Sequence, residues 1–160
     1  MADEFIPILL ELMKDKSSGV KIWVVEGLAK MSKVLGAKMF SKEMIDSFNT
    51  LLKEEAWRVR LSVYELMGEI GKTFGRKQFE DTLEALFLKF LNDKAAAVRE
   101  VGYKKSAEIA DHFGQEWVTE KLLPKAFESY SNPELSYLCW MACIQTFESV
   151  AKYITPSDFK

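Results

Sequence analysis

Residues 54–75 read EEAWRVRLSVYELMGEIGKTFG: an acid at Glu54, a Val-Arg pair at Val59-Arg60, an apolar run, and a closing Gly75. Shifted back by 39 positions, the same grammar appears in residues 15–36, with Asp15, Val20-Lys21 and Gly36. Shifted forward by 39, it appears in residues 93–114, with Asp93, Val98-Arg99 and Gly114. The fourth copy keeps the interval with Asn132, Leu138 and Tyr153. A period near 40 residues carrying helical spacing on both sides of a polar turn is the pattern of a two-helix repeat. The expected fold is all-α, an α-α superhelix of the HEAT-repeat kind with four helix pairs. The units run over 1–39, 40–78, 79–117 and 118–156, and 157–160 opens a truncated next unit. A terminal unit without a polar closing face suggests a piece of a longer solenoid.

Working outward, the first helices are expected at 3–14, 41–53, 77–92 and 116–131. Their apolar columns include Phe5, Leu9 and Leu12, then Met44, Phe48 and Leu51, then Leu83, Phe87 and Phe90. The second helices are expected at 19–35, 57–74, 96–113 and 134–152, with Gly36, Gly75 and Gly114 as left-handed caps. Pro7 and Pro124 share one column of the first helices and should bend them. Small residues in columns, Ala29, Gly68 and Ala107, then Ser32, Gly71 and Ala110, imply close helix contacts.

Composition narrows the function classes. The chain has 160 residues, 48% hydrophobic and 29% charged, as in an ordinary folded protein. Its 22 basic and 24 acidic residues give a net charge of -2, which opposes a nucleic-acid binder. No stretch has the apolar length of a membrane span or the pattern of a secretory signal, so the cytoplasm, with the nucleus as a second compartment, is expected. Cys139 and Cys143 stand four apart on one helix and read as reduced thiols. The sole histidine, His112, lies in another unit, so no metal set can be assembled. No phosphate loop, catalytic triad or cofactor motif is present, and an enzyme is not expected.

The repeat is its own control. A residue type that returns in each unit serves the stack, whereas one that appears once is free for other work. The acid of each turn should accept amide hydrogen bonds at the start of the second helix, and the base six residues on should pair with an acid of its own or the adjacent unit. Trp57 breaks its column, which otherwise holds Ser18, Ala96 and Leu135, and Arg58 stands against Gly19, Ala97 and Ser136. An adjacent Trp and Arg at a turn have the composition of an interface anchor. Trp23, Trp117 and Trp140 are expected in core or inter-unit packing.

The stretches Ala56-Trp57-Arg58-Val59-Arg60-Leu61, Phe113-Gly114-Gln115-Glu116-Trp117, Leu123-Pro124-Lys125 and Cys143-Ile144 resemble the scaffolding (A) subunit of protein phosphatase 2A, in its C-terminal half. The resemblance implies a non-catalytic horseshoe whose intra-repeat turns hold a Ser/Thr phosphatase catalytic subunit. A regulatory subunit would bind parts of the solenoid absent from this chain. Residue by residue it points to Trp57 and Arg58 as anchors, with Ala96, Ala97, Glu134 and Leu135 at the next two turns. The third turn lacks the bulky aromatic of the family, the fourth reads one residue shorter, and the first carries no anchor. Another HEAT-repeat adaptor, of the transport-receptor or chromosome-organising type, is the alternative.

Overall fold

A computed structural model describes residues 2–36, 41–131 and 137–155, without the side chains of residues 2–4. Among these residues the chain is helical, with no strand. It divides into two compact units, Met1–Leu86 and Phe87–Lys160.

In the first unit, α1 spans Ala2–Leu12, α2 Ser18–Leu35, α3 Lys42–Leu51, α4 Trp57–Phe74, α5 Arg76–Thr82 and α6 Glu84–Phe87, the last at the division. α3 begins on Ser41, whose hydroxyl accepts from the Met44 amide at 3.4 Å, and Glu43 places a carboxylate at its positive end. α2 packs along α4, and the short helices α1 and α3 pack against α2 and α4 respectively. Of the expected columns, Met44, Phe48 and Leu51 are buried, and Met13, Leu28, Val63, Met67 and Ile70 complete the core, whereas Phe5 and Leu12 on α1, expected in a column, are exposed. Pro7 lies inside α1 without interrupting it.

In the second unit, a 3-10 turn at Leu88–Asn92 leads to α7, Ala96–Phe113. α8 (Gln115–Trp117), a π turn at Val118–Leu122 and α9 (Leu123–Tyr130) follow, then α10 (Tyr137–Ser149) and a 3-10 turn at Ala151–Tyr153. α10 packs on α7 and α9. The first helices expected at 77–92 and 116–131 are therefore broken. The second break has a plain cause: Pro124 has no amide to donate back to Glu120, and the turn before it widens to the π form. The tail expected to open a further helix lies outside the described residues beyond Thr155, as does most of the fourth turn.

The glycine caps differ from a left-handed helix end. Gly36, Gly75 and Gly114 have φ of 56°, 86° and 81°, but ψ of -136°, 168° and -177°. At Gly75 and Gly114 this is the extended, positive-φ region open in practice to glycine alone, so the chain leaves α4 and α7 straight instead of curling under them.

The ladder of acids and bases is present with altered partners. Lys21 meets the Glu54 carboxylate at 2.6 Å, joining adjacent repeats as expected. Arg60 donates to the Glu54 and Glu55 carbonyls at 2.5 and 3.0 Å, and Arg99 to the Asp93 and Lys94 carbonyls at 2.6 and 3.1 Å. These carbonyls lie in the turn between two helices, past the last residue of the preceding one, where no helical amide reaches them. The acids also act differently: Asp15 and Asp93 accept from the amides of Ser17 and Ala95, two residues on, and tighten the turn ahead of the helix. Arg99→Ala should cost about 1–2 kcal/mol by orphaning two carbonyls, and Arg99→Lys should recover only part of it because an ammonium lacks the planar fork. Thermal melting decides this, and an Arg99→Ala midpoint equal to wild type would refute the assignment.

The buried face of the last helix shifts the period. Arg99, Gly102, Ser106 and Ala110 correspond to Cys139, Ala142, Thr146 and Val150, an interval of 40 residues. Ser106 and Thr146, both buried, donate to carbonyls four residues back at 2.9 and 2.8 Å. The buried face of α10 thus sits one residue later than a 39-residue period places it. Lys152 and Tyr153 bind the Asp111 carboxylate at 2.5 and 2.6 Å, fastening the last turn to α7. The hydrogen bond from Lys152, then that from Tyr153, holds the Asp111 carboxyl below its ordinary value.

Candidate docking site

The turn before α4 is built from the main chain outward. α3 ends with the Leu52 amide bonded to the Phe48 carbonyl at 2.9 Å, and the Glu54 amide reaches the Leu51 carbonyl at 3.2 Å. The Arg60 guanidinium closes the turn from beneath, and Lys21 holds the Glu54 side chain from the neighbouring repeat. Ala56 caps α4 with φ of -66° and ψ of 100° and has no side-chain hydrogen bond. Trp57 and Arg58 are therefore the first two residues of a helix whose entry is fixed by buried groups.

Both side chains face solvent. Trp57 is 36% exposed, and the Arg58 guanidinium carbon lies 4.6 Å from the centre of the Trp57 ring. Stacking of this kind orients the guanidinium by attraction to the ring face and leaves its in-plane N–H donors directed outward. Arg58 pairs with no carboxylate among the described residues. The pair offers a flat apolar area beside a planar donor fork, which suits a protein surface that combines an apolar contact with a carboxylate or carbonyl.

The other expected positions are less equipped. Ala96 is exposed and Ala97 half-buried at the start of α7, and neither brings a functional group. Glu134 and Leu135 lie outside the described residues. Two sequence readings change. Trp23, expected in packing, is 74% exposed on α2, although its column holds the buried Ser62 one unit on. Trp140 is exposed on α10, its ring 6.1 Å from that of Tyr130. Trp117 is fully buried, as expected.

Cys139 and Cys143 form no disulfide and are buried, and burial pushes the Cys143 thiol up to about 11, with Cys139 adding in the same direction. A thiol so raised is a poor nucleophile at neutral pH. Among the described residues there is no grouping of side chains suited to a metal ion, and no helix is long and apolar enough to cross a membrane.

A family model described as PIK3R4-like, middle domain, matches residues 1–100. The match takes in Trp57, Arg58, Ala96 and Ala97 and stops before Glu134 and Leu135. No curated protein matches the chain.

Proposed function

We propose that this chain, which belongs to the PIK3R4-like, middle domain family, is a non-catalytic HEAT-repeat scaffold whose turn at Trp57-Arg58 docks a partner protein; the motif around that turn, and not the family match, favours a Ser/Thr phosphatase catalytic subunit as the partner. The observation that carries the reading is the exposed indole with its stacked guanidinium, set on a turn immobilised by Arg60 and Lys21. A superhelical stack is supported by the recurrence of the buried columns and, within each unit, by the packing of α2 on α4 and of α7 on α10. Such a protein acts in the cytoplasm or nucleus and works by holding its partner in place.

The second reading is a HEAT-repeat adaptor for another protein, of the transport or chromosome-organising type. It draws on the family match, which belongs to a different protein from the phosphatase scaffolds and covers the anchor. The two readings predict different partners for the same turn.

Titrating purified phosphatase catalytic subunit against the chain separates them. Trp57→Ala should weaken binding by about 2 kcal/mol, and Arg58→Glu by a similar amount, with melting unchanged in both. Early melting of Trp57→Ala with binding retained per folded molecule would make the tryptophan a core residue. No binding by the wild-type chain would pass the turn to the adaptor reading.

A further inference from the structure

In the first unit a cleft of about 490 Å³ separates the end of α1 from α3. Leu10 and Met13 give it an apolar wall, and α3 gives it a polar one, with Glu43, Asp46, Ser47 and Thr50 on one face of the helix. Lys21 and Glu54 line it with their ion pair of 2.6 Å, so Lys21 is already satisfied. The charges left to meet a guest are the carboxylates of Glu43 and Asp46 against the one ammonium of Lys14. Neither carboxylate has a cation partner among the described residues. Three residues apart on one helix face, the two repel each other, and a cation held between them relieves the repulsion. The hydroxyls make the same demand. Ser47 donates to the Glu43 carbonyl and Thr50 to the Asp46 carbonyl, each at 2.9 Å, which spends their protons within the helix and leaves lone pairs for a guest. The repeat again supplies the control: one period on, the columns of Glu43, Asp46, Ser47 and Thr50 hold Thr82, Ala85, Leu86 and Lys89, without an acid. The stack therefore does not require acceptors at these positions.

We propose that this cleft receives an arginine side chain from an extended peptide segment of a partner protein. A guanidinium is all donor, its planar fork can reach both carboxylates, and its alkyl stem lies along Leu10 and Met13. An ammonium is a compact charge with a smaller reach, and favours one carboxylate at a time. The amino acid arginine would bring its own carboxylate up to Glu43 and Asp46, whereas in a peptide that group is a neutral amide. The cleft does not use the indole and guanidinium of Trp57-Arg58, and the proposal stands without the docking turn.

Titration of the isotope-labelled full chain with an acetylated, amidated Gly-Arg-Gly peptide, followed through the amide chemical shifts, tests the proposal. The expected result is saturable shifts at Lys14, Asp46, Ser47 and Thr50 with a millimolar dissociation constant. The same peptide with citrulline, which keeps the shape and loses the charge, should bind about tenfold more weakly, with the lysine peptide and the amino acid arginine in between. Asp46→Asn and Glu43→Gln should each weaken binding about fivefold, and together abolish saturation, while circular dichroism stays as in wild type. Trp57→Ala should bind the peptide as wild type does. Citrulline binding as strong as that of arginine overturns the proposal, as do shifts that fail to saturate or that centre outside the cleft, full affinity in the double variant, or loss of binding in Trp57→Ala. Tighter binding of the amino acid than of the peptide overturns the choice of a peptide, and tighter binding of the lysine peptide overturns the choice of a guanidinium.

Discussion

Trp117→Ala should lower the stability of the chain by about 4 kcal/mol, the range found when a large aromatic side chain is emptied from a core. Trp117 has no exposed surface, and its ring meets that of Phe113 edge-on, with centroids 5.7 Å apart and planes at 83°. The contact spans the corner at Gly114, where the chain leaves α7 in a conformation reserved for glycine. Removing the indole therefore empties a cavity and also releases the residue that fixes the corner. Trp117→Phe should keep most of the stability, since a smaller ring still fills part of the space. Urea unfolding measures both, and a loss below about 1.5 kcal/mol for Trp117→Ala would show that the corner repacks without it.

Gly102→Ala sets two effects against each other. Alanine gains roughly 1 kcal/mol over glycine inside a helix, so propensity alone predicts a more stable protein. Packing predicts the reverse, because a Cβ at Gly102 would fall onto the Cβ, Cγ and ring of Phe90. The clash includes the root of the Phe90 side chain, which cannot swing away, so the 3-10 turn and α7 must separate. We expect a net loss of about 2–3 kcal/mol. Gly27→Ala is the control: nothing lies within 4 Å of a Cβ built there, and it should gain a few tenths to 1 kcal/mol. Phe90→Leu should restore much of the loss in Gly102→Ala. One period earlier the same two columns hold Leu51 and Val63, both buried, a smaller residue facing a larger one. Strict additivity of Gly102→Ala and Phe90→Leu would refute the contact.

What was legible in the sequence was the period and the identity of the buried columns. Met44, Phe48 and Leu51, or Leu83, Phe87 and Phe90, could be placed because helical spacing and a repeat agree on the same residues. The breaks at Leu83 and Val118 were not legible as breaks, since an interrupted helix keeps its apolar columns whether the turns between them are α, 3-10 or π. The carbonyl partners of Arg60 and Arg99 were not foreseen because a sequence displays carboxylates and hides carbonyls. The exposed pair at Trp57 could be found, since its column is otherwise filled by smaller side chains. Trp23 meets the same test through Ser62, yet its position within an apolar helix argued for the core, and burial of a tryptophan depends on neighbours that no residue type specifies.

The binding of Arg60 and Arg99 to main-chain carbonyls bears on how such a repeat diverges. A carbonyl is supplied by whichever amino acid stands at the position, so the arginine does not constrain the side chain it reaches, and the two sites need not change together. The turn positions can then drift, from Glu54-Glu55 to Asp93-Lys94, while the base is kept. The contact at Lys21 has the opposite character, for it depends on the Glu54 carboxylate, and loss of either residue removes it. Random substitution of each turn with selection for folded chains should therefore leave positions 55 and 94 broadly variable, and restrict position 54 through Lys21 and position 93 through the hydrogen bond from the Ala95 amide.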